Sequence, residues 1–101
     1  MQHAALMPTF RFAIEEVLSS IDGFEGLVIA GPVLDESAGL RVGDWLNIKL
    51  PSGQIRVRCE GFPLINWGRR GNWVSIAVYG VPSGVDVLGF AAETSISEPG
   101  R

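Results

Sequence analysis

Trp45-Leu-Asn-Ile-Lys-Leu-Pro-Ser-Gly-Gln-Ile-Arg-Val-Arg-Cys-Glu60 is the stretch on which the fold turns. Leu46, Ile48 and Leu50 alternate with Trp45, Asn47 and Lys49. After Pro51-Ser52-Gly53, the residues Ile55, Val57 and Cys59 alternate with Gln54, Arg56, Arg58 and Glu60. A period of two on both sides of a proline-glycine break predicts a β-hairpin with one face buried. With Ser52-Gly53 as a tight two-residue turn, Leu50 faces Ile55, Ile48 faces Val57 and Leu46 faces Cys59. Every inward pair is then apolar. A one-residue slip exposes the whole set, so the hydrophobic pattern specifies which face is buried.

Outward from the hairpin, the chain repeats short apolar runs cut by 13 glycines and six prolines, an all-β pattern. From Thr9 to Leu18, Phe10, Phe12 and Ile14 alternate with Arg11, Ala13 and Glu15, which predicts a strand. Ala13 to Ser20 also fits two helical turns, but the alternation begins earlier and the run ends at Asp22-Gly23. Leu27 to Leu34 is uniformly apolar. Trp73 to Tyr79 reads as a strand with Val74, Ile76 and Val78 on one face. Val85 to Phe90 reads as a short last strand, and Thr94 to Arg101 as a polar tail. The glycines at 23, 26, 31, 39, 43 and 53 fit turns, where positive φ or close approach is needed.

The 101 residues, 47% of them hydrophobic, suit one domain with one core. The expected architecture is a small, closed or nearly closed antiparallel β-barrel over about residues 9–92, with short flexible tails and no internal repeat. No apolar run reaches membrane-spanning length. Met1 to Pro8 lacks the basic region and long apolar stretch of a signal peptide, so a cytoplasmic chain is expected. One cysteine, Cys59, excludes an internal disulfide and a cysteine metal cluster, and its inward position marks it as core. His3 reads as a terminal passenger. Asp35 and Glu36 fall in an expected loop as a hydrated acidic tip. No nucleophile, histidine pair or phosphate-binding glycine loop accompanies them, so neither catalysis, nucleotide binding nor a cofactor is expected.

The order of the short segments resembles the second domain of elongation factor Tu and related translational GTPases. Phe12-Ala-Ile-Glu-Glu-Val17 is similar to that domain's opening strand. Ile21-Asp-Gly-Phe-Glu-Gly26 with Leu27-Val-Ile-Ala-Gly31 is similar to the glycine-containing turn and the strand after it. Gly39-Leu-Arg-Val-Gly-Asp44 resembles the family's Lys-or-Arg-Val-Gly-acidic turn. Arg58-Cys-Glu-Gly61 and Gly71-Asn-Trp-Val74 keep the spacing of later elements. The resemblance covers about residues 10–92. It implies the translation-factor barrel and, through the family's habits, contact with RNA. Tryptophan stands at position 73, where the family's aminoacyl pocket has an asparagine, and Val85-Asp-Val-Leu88 replaces its Gly-Gln-Val-Leu. Both departures argue against aminoacyl recognition of that kind.

The net charge of −3 argues mildly against tight unaided nucleic-acid binding, but it averages two unlike parts. Residues 1–40 carry one Arg against six acids, and residues 41–80 carry six basic residues against two acids. One reading is attraction between them across neighbouring strands, with Glu15 or Glu16 partnering the hairpin bases. The other is an RNA or anion surface made of Trp45, Lys49, Arg56 and Arg58, in which arginine binds phosphate and tryptophan stacks on a base. The loop Asn66-Trp-Gly-Arg-Arg-Gly-Asn-Trp73 supplies the second candidate site: Trp67, Arg69 and Arg70 suit an interface, while Trp67 or Trp73 capping the barrel is the plainer alternative. Two functions follow: a binding module for RNA or a translation-related partner, or a protein-interaction adaptor or immunity-type inhibitor sharing the barrel.

Overall fold

A computed structural model describes residues 8–19, 26–68 and 71–94. The strands are β1 (Phe10–Ala13), β2 (Glu16–Ser19), β3 (Leu27–Glu36), β4 (Trp45–Leu50), β5 (Gly53–Gly61), β6 (Trp73–Tyr79) and β7 (Ala91–Thr94). They pair antiparallel in the order β1-β7-β4-β5-β6-β3, and a further β1–β3 pairing closes the ring. The result is a closed six-stranded antiparallel barrel, with β2 as an extra strand on β3. Closure leaves no edge within the six-stranded ring, where an open edge would invite association.

The interior follows the alternation of the strands. Phe12, Ile14, Ile29, Leu46, Ile48, Val57, Cys59, Ile76 and Val78 are all buried in one cluster. Each such side chain contributes about 1.5–3 kcal/mol of burial. Phe10, Phe12 and Ile14 keep one phase, whereas Val17, which packs on the same core, keeps the other. The phase change falls at Glu15-Glu16, and there the expected single strand divides into β1 and β2. The Ile14 N–H donates to Phe90 O and the Glu15 N–H to Ala30 O, so the backbone remains bonded through the break. No helix forms: β1 pairs with β3 and β7, and β2 pairs with β3, so the backbone groups of both are taken up in strand ladders.

Gly31 lies inside β3 where that crossing presses against it. A Cβ at this position would stand 1.6 Å from the Ala13 carbonyl oxygen and 3.1 Å from Glu15 N. Gly31 is therefore not a turn residue but the contact that lets the β1–β2 segment lie across β3.

The last strand sits later than the alternation predicted. Residues 85–90 are irregular: the Val85 N–H donates to Pro82 O and the Phe90 N–H to Val87 O, with positive φ at Gly84 and Gly89. Val87 drops into the core from this segment, and β7 begins only at Ala91. Ala92 pairs with Phe12 on one side and Ile48 on the other, so a small side chain sits between two larger ones. Thr94, read as the start of a tail, closes β7, and its hydroxyl accepts the Phe10 N–H at 3.1 Å. Asp35 and Glu36 end β3 rather than forming a loop. His3, the Ile21–Glu25 turn and the tail beyond Thr94 lie outside the described residues.

Candidate functional site: the outer face of the hairpin

The hairpin forms as expected, but its register differs by two residues. Leu50 pairs with Gly53, Ile48 with Ile55 and Leu46 with Val57. The turn is therefore Pro51-Ser52, not Ser52-Gly53. The reason is proline's missing donor: a Ser52-Gly53 turn would make Pro51 the closing residue, which must donate an N–H across the ladder. Placing Pro51 in the turn uses its fixed φ, and Gly53, at φ 139°, takes the closing position. A two-residue shift preserves the faces, so Leu46, Ile48, Val57 and Cys59 remain inside.

The shift rearranges the outer face. Lys49 now lies opposite Gln54, Asn47 opposite Arg56 and Trp45 opposite Arg58. A Ser52-Gly53 turn would have set Lys49 opposite Arg56, a like-charge pair that costs stability; the observed register avoids it. Arg58 is in turn opposite Tyr79 on β6, so Trp45, Arg58 and Tyr79 form one outward row across three strands. Trp45 and Tyr79 are each 44% exposed. They stand two strand spacings apart, about 10 Å. The Arg56 guanidinium lies 4.9 Å from the centre of the Trp45 ring, a cation–π contact that holds both groups on the surface. Arg58 Nε is 3.6 Å from a Glu60 carboxylate oxygen on its own strand. β6 and β3 stand between the hairpin and β2, the strand that carries Glu16. Among the described residues, Lys49 and Arg56 have no carboxylate partner.

Tyr79 was not singled out from sequence. Its signal was available: it ends a strand whose inward set is Val74, Ile76 and Val78, so position 79 points out. What sequence did not show is that β6 lies beside β5 and brings Tyr79 to Arg58.

The second candidate, the loop between β5 and β6, is arranged differently. The Trp67 indole N–H donates to Ser75 Oγ at 2.6 Å, and its ring packs on Trp73 with centroids 5.2 Å apart. Ser75 points to the opposite face from Ile76, so the two tryptophans cover the outside of β6 rather than capping the barrel end. Beneath them Ser75 is buried, as are Ala30 and Ala77. Gly68 and Gly71 take positive φ where the loop turns. Arg69 and Arg70 lie outside the described residues. Phe62 and Leu64, earlier in the loop, are exposed.

Two concavities accompany these features. One, about 410 Å³, is lined by Val17, Leu27, Val78, Val81 and Val85 and opens beside Gly26. The other, about 400 Å³, lies on the outer face of β1, β7 and β4 and is lined by Thr9, Arg11, Asp35, Asn47, Lys49, Ala91 and Glu93. Asp35 is held below the usual carboxylate range by hydrogen bonds donated by the Ser37 backbone and the Thr9 hydroxyl. Burial pushes the Cys59 thiol up, away from the reactive thiolate. Among the described residues no group of His, Cys, Asp and Glu assembles as a metal site, and no helix is long and apolar enough to cross a membrane. Compared with known proteins, the chain matches no family, no characterised protein and no solved structure.

Proposed function

We propose that this chain is a non-catalytic, cytoplasmic binding module of the translation-factor second-domain type, and that it holds single-stranded RNA on the outer face of the β4–β5 hairpin. The observation that carries the reading is the Trp45–Arg58–Tyr79 row with Arg56 over the Trp45 ring. Two partly exposed aromatic rings beside cations suit a single strand: bases stack on Tyr79 and on the Arg56–Trp45 pair, and phosphates meet the guanidinium groups. Lys49 extends the positive charge along the same face. Lys49, Arg56 and Arg58, set on this face of an acidic chain, direct RNA attraction to this side of the barrel.

The test is binding of a labelled uridine oligonucleotide by anisotropy at 50 and 200 mM salt. Three phosphate contacts imply a logarithmic slope of about −2, or roughly 20-fold weaker binding over that range. Arg56→Gln/Arg58→Gln should flatten the slope. Binding that ignores both salt and these substitutions would sink the reading. Exposed Phe62 and Leu64 favour a second reading, an adaptor or inhibitor docking on a protein; such an interface would show little salt dependence and would lose affinity with Phe62→Ser/Leu64→Ser.

A further inference from the structure

The strand registers continue the hairpin face into the second concavity. Asn47 lies opposite Arg56 on one side and Glu93 on the other, Glu93 lies opposite Arg11, and Arg11 opposite Asp35. These residues form one outward row that starts at the Arg56–Trp45 contact and ends in the depression. Ala91, on the lining, leaves room that a larger residue would fill.

Three features define what fits there. Asn47 lines the depression, and its buried side-chain oxygen accepts no hydrogen bond, an acceptor left without a donor. Two further acceptors, the carboxylates of Glu93 and Asp35, line the same space, and each oxygen has capacity beyond its present contacts. Hydrogen bonds donated by Ser37 and Thr9 hold the Asp35 carboxyl below its usual range, which favours its anionic form. Arg11, 3.8 Å from Glu93, and Lys49 balance the two negative charges, so the lining is formally neutral. With two charges of each sign on the lining, neither an anion nor a cation is favoured by net charge. A flat, neutral group rich in N–H donors is accommodated.

We propose that this depression is a base-reading pocket for guanine, entered by the nucleotide next to the one stacked on Trp45. The inference rests on the RNA reading above. Among the bases, guanine alone presents a ring N–H and an adjacent amino group on one edge, matching a carboxylate beside an amide oxygen. Adenine and cytosine offer only an amino group, and uracil a single N–H between two acceptors.

The test compares three heptamers in the same anisotropy assay: all-uridine, one with a central guanosine, and one with a central inosine, which lacks the amino group. Guanosine should bind about tenfold more tightly than all-uridine. Inosine should fall between them. Asn47→Leu should remove the guanosine preference; Glu93→Gln, which retains the side-chain shape, should reduce it even if the leucine variant fails to fold. Equal affinity for all three heptamers overturns the pocket and leaves the RNA reading standing. A guanosine preference surviving in the folded variants also overturns the pocket. No binding of any heptamer overturns both.

Discussion

Trp45 stands on the outer face of β4 with its ring 44% exposed under the Arg56 guanidinium, whereas Trp67 lies half-buried on Trp73 with its indole N–H bonded to Ser75. Sequence context pointed the other way. Trp67 occupies a glycine- and arginine-rich loop, the usual location of binding groups, and Trp45 opens a strand of the fold-determining hairpin. The difference lies in what each ring covers. Trp67 shields Ser75, a buried polar residue that would otherwise lack this partner, so it contributes to stability. Trp45 covers no comparable gap. Its cation partner is a surface group, and removing either leaves the barrel interior untouched.

The largest effect would abolish the comparison by destroying the scaffold. Gly31→Ala places a methyl group on the Ala13 carbonyl oxygen, a backbone clash that no rotamer relieves. Loss of the cooperative unfolding transition is expected, read by circular dichroism; a folded variant of near-native stability would refute the close approach. Trp67→Ala comes next, at about 2–3 kcal/mol of lost stability from the missing ring and the unpaired Ser75 hydroxyl. Alkylation of Cys59, slow because the thiol is buried, should then accelerate on the order of 30-fold if it proceeds through global opening. Trp45→Ala, which removes the surface contact with Arg56, should accelerate it only about 2–5-fold.

The same pair of variants separates function from stability. Trp45→Ala should weaken RNA binding about tenfold, through one lost stacking platform, with unfolding midpoints close to wild type. Should Trp67→Ala weaken binding more than Trp45→Ala at temperatures where both are folded, the assignment of roles must be exchanged. Arg56→Gln tests the surface contact alone. A change of about 0.5–1 kcal/mol in stability is expected, together with a shift in Trp45 fluorescence. The smallest effect concerns pH. The folded pKa of Asp35 is depressed, so its contribution is present above the ordinary aspartate range and is lost as pH falls through the folded value. Asp35→Asn should make unfolding midpoints less steep in acid, and neither tryptophan variant should alter that slope.

The sequence legibly specified which faces are buried. Alternation in residues 45–60 and 73–79 identified Leu46, Ile48, Val57, Cys59, Ile76 and Val78 as interior, because a strand's side chains change face at every residue. It was less informative about lengths and pairings. The phase change at Glu15-Glu16 was visible in the spacing of Ile14 and Val17, yet it reads equally as a helical turn until a partner strand is present. Residues 85–90 carry strand-like side chains, but Gly84 and Gly89 at positive φ and the inward Val87 make them a plug instead.

For the candidate site, sequence identified the residue types and the tertiary structure decided their company. Lys49, Arg56, Arg58 and Trp45 are visible as outward positions of a hairpin by periodicity alone. The missing N–H of Pro51 moves the turn, and with it every cross-strand neighbour on that face. Tyr79 joins Arg58 only because β6 packs beside β5, and Asn47 meets Glu93 only because β7, 40 residues away along the chain, slots between β4 and β1. Faces are set by a local period of two. Neighbours are set by barrel closure, a long-range property that no short stretch of the chain contains.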